Sequence, residues 1–335
     1  MRFRHLACPL AILLAACGGS NDQQTSTGDH PDGGGGAGGS GSGGAGGNTA
    51  AGGGAPNGPG VLIFSGDGEA FYGDAWSFDG QTWTERSAQG PSQRSSHAMA
   101  TMGDEVVLFG GTETPSMKDL DDTWTWDGHA WKELHVQGPS PRDGHAMATL
   151  HGEVILYGGC PSFSNDTWAF DGSAWKQLAP AHDPGGRCGH AMASDGEHIV
   201  LFGGVGSDPD TWIFDGTDWT KSPASGPGKR AFHAMATLGH EVVLYGGEED
   251  ANHFLSDTWI FDGTSWVEAQ GKTDPGQRFH HGMATFEGKV VLFGGGGPVG
   301  GTPWYGDTWT FDGSTWKQVS SMGPVGRLVY ALAAW

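Results

Sequence analysis

Short apolar runs recur along the chain from residue 61 and are its clearest hydrophobic pattern. Five runs of four apolar residues end directly in Gly-Gly, and the run Val61–Phe64 ends in Ser65-Gly66 as an altered sixth copy. The runs begin at Val61, Val106, Val154, Ile199, Val242 and Val290. An apolar run without alternation is typical of a strand buried on both faces, and glycine at its end marks a bend or a close approach of backbones. The pattern predicts six buried central strands.

An aromatic repeat, Asp-x-Trp-x-Phe-Asp-Gly-x-x-Trp, follows each apolar run. Its copies extend over residues 74–83, 122–131, 166–175, 210–219, 257–266 and 307–316. Ala75 stands where the other copies have Thr, and Trp126 replaces the Phe. Asp-Gly between two short strand patterns predicts a tight hairpin turn. Each unit therefore gains a third and a fourth strand, and the paired tryptophans are expected to bury large areas between units.

A third repeat, Arg-x-x-His-Ala-Met, precedes the apolar runs. Four copies match this pattern at every position, whereas the copies that begin at Arg278 and Arg327 match it only in part. Its small alanines fit a crowded innermost strand around a central channel. Four short strands in every 44 to 50 residues are the pattern of a propeller blade.

These marks resemble the kelch-repeat β-propeller family, which includes the central domain of galactose oxidase-like proteins. The resemblance covers residues 61–335 and implies an all-β, six-bladed propeller of four-stranded blades. The chain enters this region in a second strand, at Val61, and ends after Arg327 in a first-strand pattern. We therefore expect the C-terminal strand to complete the first blade, which closes the ring and removes a free sheet edge.

The N-terminus predicts export. Arg2 and Arg4 precede an apolar run of eleven residues, Leu6–Ala16, which is too short to span a bilayer. The run ends in Leu14-Ala15-Ala16-Cys17, which resembles a lipobox and implies a signal peptide over residues 1–16 and lipidation of Cys17. The alternative is a plain signal peptide. Gly18 after the cysteine resembles the sorting signal of outer-membrane lipoproteins, so we expect a cell-envelope location on either membrane face.

Residues 17–60 have the composition of a flexible tether. Glycine supplies 19 of the 43 residues after Cys17, and almost nothing apolar is larger than alanine. Such a segment cannot bury enough surface to offset the entropy of ordering. We expect a disordered linker between the lipid anchor and the propeller.

Charge and cysteine content narrow the possible partners. The chain has 38 acidic and 17 basic residues, a net charge of −21, which disfavours nucleic acid and anionic lipid. After Cys8 leaves with the signal and Cys17 takes lipid, only Cys160 and Cys188 remain. They lie on the same face of adjacent predicted blades, and an exported protein meets an oxidising compartment. We expect a disulfide between them.

Residues present in every blade are most simply structural. The predicted funnel ring comprises Arg94, Arg142, Arg187, Arg230, Arg278 and Arg327. We expect these arginines to hydrogen-bond carbonyls between blades, with anion binding as the alternative. The repeated histidines are assigned the same structural role, because one histidine per blade does not supply converging metal ligands. No metal and no cofactor is predicted.

Function is expected in the loops that break the repeat. Once the repeat positions are subtracted, a few aromatic side chains remain in variable loops of the first, fifth and sixth blades. The ligand-binding candidates are Phe71, Tyr72, His253, Phe254, Trp304 and Tyr305. Exposed aromatics suit sugar stacking or protein anchoring, whereas the alternative is that they pack down their own loops. Acidic loops at 119–122 and 248–250 raise the further alternative of bound Ca²⁺.

Three functional classes follow from these features. The favoured one is a lipid-anchored, monomeric module that binds a protein or a glycan. The alternative is a carbohydrate-active kelch enzyme, similar to sialic-acid mutarotases or to galactose-type copper oxidases. No nucleophile–base pair or carboxylate pair stands out from the repeats, so enzyme activity is left open and is not favoured. The third class is a purely structural envelope protein.

Overall fold

A computed structural model of the protein describes residues 58–86, 89–271, 273–298, 304–320 and 323–335. The expected signal peptide, the lipidation site Cys17 and the tether up to residue 57 lie outside the described residues. Within the described ranges, no helix has the length and apolar composition needed to cross a bilayer.

Six four-stranded antiparallel sheets hold most of the strands of the described chain. The innermost strands are Leu332–Ala334, Ala98–Met102, Ala146–Leu150, Ala191–Ser194, Ala234–Leu238 and Gly282–Phe286. The second strands are Val61–Asp67, Glu105–Phe109, Glu153–Tyr157, Ile199–Phe202, Glu241–Tyr245 and Lys289–Phe293. The third strands are Phe71–Phe78, Thr123–Trp126, Thr167–Phe170, Thr211–Phe214, Thr258–Phe261 and Thr308–Phe311. The outer strands are Trp83–Arg86, Trp131–Leu134, Trp175–Leu178, Trp219–Lys221, Trp266–Glu268 and Trp316–Ser320.

Two small sheets form in the loops. One contains Arg94–Ser95, Thr112–Glu113 and Lys118–Asp119, and the other pairs Glu248–Asp250 with His253–Phe254.

We number the six large sheets as blades 1 to 6 in the order of their second strands. The all-β fold class expected from the repeats is confirmed.

Blade 1 combines the two ends of the described sequence. Its second strand pairs with the C-terminal strand through Val61 with Ala334 and Ile63 with Leu332. The innermost strands contact one another in succession, and Leu332–Ala334 contacts the innermost strands of both blade 2 and blade 6. The sheets therefore follow one another around a channel, with blade 1 between blades 6 and 2.

The hydrophobic core lies between the blades. Six clusters of buried residues each join the facing surfaces of two neighbouring sheets. In the cluster between blades 6 and 1, Val291 and Phe293 meet Val61 and Ile63. Because the second strands contribute to clusters on both sides, their apolar runs do not alternate with polar residues.

The outer-strand tryptophan links each blade to the preceding one. The Trp175 ring centroid lies 5.3 Å from that of Phe109, and its Nε1 donates a hydrogen bond to Thr123 Oγ1 at 3.0 Å. Five junctions share this bond: Trp83 to Thr308, Trp175 to Thr123, Trp219 to Thr167, Trp266 to Thr211 and Trp316 to Thr258. The threonine of the aromatic repeat therefore accepts the bond between blades.

The junction between blades 1 and 2 lacks this acceptor. Ala75 occupies the threonine position there, and Trp131 Nε1 is buried without a hydrogen-bond partner. The Trp131 ring still packs 5.2 Å from Phe64. Burial of an unpaired donor costs free energy, so this junction has lost one polar link and kept its apolar contact.

Substitution Ala75→Thr should restore the missing acceptor. We expect the free energy of unfolding to rise by about 1 kcal/mol, the usual net contribution of one hydrogen bond, in denaturant titrations of the full-length protein. Thr167→Ala is the matched variant, since it removes the acceptor of Trp219, and it should lower stability by a similar amount. A destabilised Ala75→Thr protein would show that threonine does not fit this position.

Candidate functional site: the channel mouth and the loops around it

The variable loops lie at one end of the blades. The loops after the double glycines and the connections into the innermost strands meet there, because successive strands run antiparallel. We call this surface the loop face, and we call the opening of the central channel on it the mouth. The site consists of a repeated backbone framework and the side chains that this framework holds.

The double glycine brings each second strand against the next blade. Gly110 and Gly111 have φ angles of 60° and 93°, and a Cβ on Gly110 would lie 2.8 Å from the carbonyl oxygen of Arg142. The Gly111 amide donates to that same oxygen at 2.9 Å. In blade 1, Ser65 makes the link instead: its hydroxyl donates to the Arg94 carbonyl at 2.7 Å and accepts from the Arg94 amide.

The repeated arginines are buried beneath these glycine turns. Arg94 is fully buried, donates to the Gly110 carbonyl at 2.9 Å, and pairs with Asp122 through both terminal nitrogens. Asp122 also accepts a hydrogen bond from Trp124 Nε1. Burial alone would raise the pKa of the Asp122 carboxyl, but Arg94 and Trp124 lower it overall. The carboxylate is therefore held ionised.

This arginine–aspartate pair recurs in five blades. The other members are Arg142–Asp166, Arg230–Asp257, Arg278–Asp307 and Arg327–Asp74. The arginines do hydrogen-bond backbone carbonyls, as expected of a structural role, but the expectation that these carbonyls belong to a neighbouring blade was wrong. Each guanidinium bonds a carbonyl and a carboxylate of its own blade, because the glycine turn and the third strand of that blade flank it. The arginines are also too buried to form a solvent-facing funnel ring.

Blade 4 departs from this arrangement. Arg187 donates to the carbonyls of Gly203 and Pro184, but Asp210 pairs instead with Lys221 at 2.8 Å. Trp212 Nε1 is left buried without a partner. The position two residues after the outer-strand tryptophan holds Lys only in this blade, and Glu or Gln in the other five. Lys221 therefore accounts for the diverted carboxylate.

Six backbone positions define the mouth. They are the second residue after each repeated arginine: Ser96, Gly144, Gly189, Phe232, His280 and Val329. Each amide from Gly144 onward donates to the carbonyl of the preceding mouth residue, at 2.7 to 2.9 Å. Small residues stand in blades 2 to 4, whereas blades 5, 6 and 1 place bulkier side chains at the opening.

Aromatic rings cover this bulkier half of the mouth. Phe232 and His280 stack at 4.2 Å with an interplanar angle of 32°, and the Tyr330 ring lies 5.1 Å from His280. Burial lowers the pKa of His280 to about 3. The imidazole is therefore neutral near pH 7, and this half of the mouth is apolar and aromatic.

A polar chamber lies just inside the mouth. Its volume is about 120 Å³, and its wall includes Tyr330 and the histidines His145, His190, His233 and His281. Burial, and next the nearby Arg230, lower the pKa of His233 to about 3. Each of these four imidazoles lies beside the backbone at the end of the preceding blade's second strand: His145 at Phe109, His190 at Tyr157, His233 at Phe202 and His281 at Tyr245. No group of three or more His, Cys, Asp or Glu side chains in the described ranges is placed to hold a metal ion.

Three carboxylates surround the mouth at equivalent positions. In every blade, the residue after the repeated arginine forms a backbone bridge with the residue after the double glycine or its Ser-Gly equivalent. These bridge pairs contain Asp67 in blade 1, Asp143 in blade 3 and Glu248 in blade 5. Burial, followed by the charge of Asp119, raises the pKa of Asp143 to about 6. Burial, followed by Asp250, raises the pKa of Glu248 to about 7.

Asp67 is the most enclosed of the three. It is 6% exposed, and its Oδ2 accepts from the Tyr330 hydroxyl at 2.9 Å, whereas Oδ1 has no partner of its own. Burial raises the pKa of this carboxyl, and hydrogen bonds with Tyr330 and Ser95 offset part of that rise. Sequence reasoning missed Asp67, Asp143, Phe232 and His280. A signal was available, because the two variable residues of Arg-x-x-His change from blade to blade while their neighbours repeat.

The aromatic candidates are placed at several points of the loop face, mostly against other side chains. Tyr72 lies over the Arg327 guanidinium at 4.0 Å and Tyr305 over that of Arg278 at 4.3 Å. Phe254 stacks on Phe279, and His253 bonds Asp250. Trp304 forms a backbone bridge with Gly296, whereas Phe71 is 40% exposed. Packing within the loops accounts for most of this set.

A disulfide links blades 3 and 4 on the loop face. The structure joins Cys160 to Cys188, with their Cα atoms 5.6 Å apart. Cys160 bridges the backbone of Asp143, and Cys188 bridges that of Val205. The bond therefore connects two adjacent bridge pairs beside the mouth.

Exposed apolar side chains are concentrated on the loop face. Five of the six large apolar residues described as exposed lie in its loops: Phe71, Met117, Phe163, Val205 and Val325. The sixth, Val267, lies on the outer strand of blade 5. The loops of this face therefore hold most of the large exposed apolar side chains among the described residues.

The repeat geometry defines a kelch-type β-propeller. A family model, the KLHDC2/KLHL20/DRC7 Kelch-repeats domain, matches residues 55–204 and 205–328. Since these matches cover most of the chain, the protein belongs to this kelch-repeat family. No curated protein matches the chain.

Substitution Lys221→Gln should return blade 4 to the common arrangement. With Lys221 removed, Asp210 can pair with Arg187 and Trp212. We expect a gain of about 1 kcal/mol in the free energy of unfolding, because a buried, hydrogen-bonded pair replaces an exposed one. Lys176→Gln, at an exposed outer-strand position of blade 3, is the control and should change stability little. A larger loss for Lys221→Gln than for the control would contradict this account of blade 4.

Proposed function

We propose that the protein is an extracytoplasmic, lipid-anchored kelch propeller whose loop face binds a protein partner. Kelch propellers generally mediate protein interactions, an argument by fold analogy. The observation that carries the proposal in this chain is the concentration of exposed apolar residues on the loop face. A glycan ligand is the second candidate of the binding class, favoured by the exposed ring of Phe71.

The location forms part of the same proposal. The basic start, the apolar run and Cys17 support export and lipidation. A disulfide between Cys160 and Cys188 agrees with an oxidising compartment. In this proposal the anchor holds the propeller at a membrane.

The enzyme alternative has less support. The rings of Phe232, His280 and Tyr330 flank the mouth, and the repeated arginines donate to groups of their own blades. A polar funnel of converging catalytic groups would need such side chains to be accessible. The geometry of the loop face favours binding over chemistry.

Lipidation can be tested at Cys17. We expect the full-length protein, expressed in a Gram-negative bacterium, to incorporate labelled palmitate and to sediment with membranes. Cys17→Ser should abolish both, while Cys8→Ser leaves both unchanged because Cys8 lies within the signal peptide. Unchanged acylation of Cys17→Ser would disprove the anchor.

Partner binding can be tested by site-specific crosslinking in the producing cells. A photoreactive amino acid at Phe71, Met117 or Phe163 should yield discrete protein adducts. The same residue at Val267 is the control, since it is also apolar and exposed but lies away from the loop face. Equal adduct yields at Val267, or no adducts at any position, would refute a protein-binding loop face. Adducts to polysaccharide alone would favour the glycan candidate.

A further inference from the structure

The bridge pairs around the mouth have an unbalanced charge. Twelve residues occupy these positions, two from each blade: Ser95 with Thr112, Asp143 with Cys160, Cys188 with Val205, Ala231 with Glu248, Phe279 with Gly296, and Leu328 with Asp67. Three are acidic and none is Lys or Arg. The acidic residues belong to blades 1, 3 and 5, so they alternate around the six-membered ring.

No cation of the described chain forms an ion pair with these carboxylates. The ion pairs among the described residues use the aspartates of the aromatic repeat and exposed loop residues, and none includes Asp67, Asp143 or Glu248. The repeated arginines are nearby, but five of the six are held by their own aspartates. Asp119 and Asp250 add further negative charge beside Asp143 and Glu248.

Asp67 gives independent evidence for a ligand at this place. The residue is 6% exposed, and although the hydroxyls of Tyr330 and Ser95 both interact with its carboxyl, its Oδ1 has no hydrogen-bond partner of its own. The other oxygen binds the hydroxyl of Tyr330, a residue that lines the chamber inside the mouth. An enclosed carboxylate with a free oxygen is costly unless a donor meets it.

The aromatic half of the mouth suits the same kind of ligand. The Phe232–His280 stack and the Tyr330 ring provide apolar and π surfaces beside the carboxylates. A guanidinium can stack on such rings and donate two hydrogen bonds to a carboxylate, whereas a lysine ammonium has no planar face to stack. The other half of the mouth has the small residues Ser96 and Gly144.

We propose that the mouth binds an arginine-containing basic segment of a protein partner, with Asp67, Asp143 and Glu248 as the residues that receive its cationic side chains. This inference rests on the proposed protein-binding function and specifies the chemistry of the partner. The exposed apolar residues farther out on the loop face would contact the rest of that partner. The acidic rim provides charge complementarity, which governs specificity and association rate.

The test uses the full-length protein and a fluorescent nine-residue peptide of alternating Arg and Gly. We expect saturable binding by fluorescence anisotropy that weakens as salt rises. A lysine peptide of the same length should bind several-fold more weakly, and a glutamate peptide should not bind. This order of peptide affinities follows from the planar guanidinium of arginine and from the negative charge of the acidic rim.

The variants are matched in the number of carboxyl groups that they remove. Asp67→Asn, Asp143→Asn and Glu248→Gln combined should weaken arginine-peptide binding by at least about tenfold. The control combines Asp104→Asn, Glu153→Gln and Glu241→Gln, which lie at the opposite end of the blades and remove the same number of carboxyl groups. It should bind within about twofold of the parent. Thermal unfolding of both variants checks that each remains folded, and the single Asn or Gln variants replace the triple one if it does not.

Equal weakening by both triple variants would overturn the proposal, because the binding would then depend on overall charge. Partner adducts in the crosslinking experiment, together with peptide binding that ignores the mouth variants, would remove this inference and keep the proposed function. Absence of both adducts and peptide binding would remove both.

Discussion

Burial of a tryptophan between neighbouring sheets is the interaction on which this structure depends. Each outer-strand tryptophan packs against an aromatic residue of the preceding blade, and five of the six also donate a hydrogen bond to its threonine. No blade has a hydrophobic core of its own, because a single sheet cannot cover its two faces. The fold is stable only when every sheet has two neighbours. This requirement explains why the C-terminal strand pairs with Val61–Asp67.

The backbone geometry that allows this packing also forms the loop face. Double glycines with positive φ let each second strand end against the next innermost strand, and buried arginine–aspartate pairs fix the turn from below. As a result, the loops begin from a rigid and repeated base. Functional variation can then be confined to side chains that the repeat does not use, which in this protein are the bridge and mouth positions.

Sequence patterns were sufficient for the fold but not for the site. The apolar runs, the double glycines and the Asp-Gly turns each have a single structural solution, so the strands and their order followed from them. The partners of the arginines did not follow, since Asp122 is 28 residues from Arg94 and only the folded blade brings them together. The aromatic candidates were chosen by subtracting the repeats, a procedure that cannot detect that Tyr72 and Tyr305 cover arginines. The carboxylates of the mouth occupy variable positions that follow either a repeated arginine or a glycine turn. Only the backbone bridges show that these positions are equivalent from blade to blade.

The bridge positions have one further consequence. Their pairing uses main-chain groups, so the backbone arrangement at these positions does not require one particular residue type, although Cys160 and Cys188 also join two blades through their side chains. The less buried of these positions, such as Val205 and Glu248, can accept new residue types at small cost to stability, much as the hypervariable loops of an immune receptor do on a constant frame. Replaceable side chains around one opening would allow a lineage of these proteins, or a designed library, to change its ligand while the propeller itself stays the same.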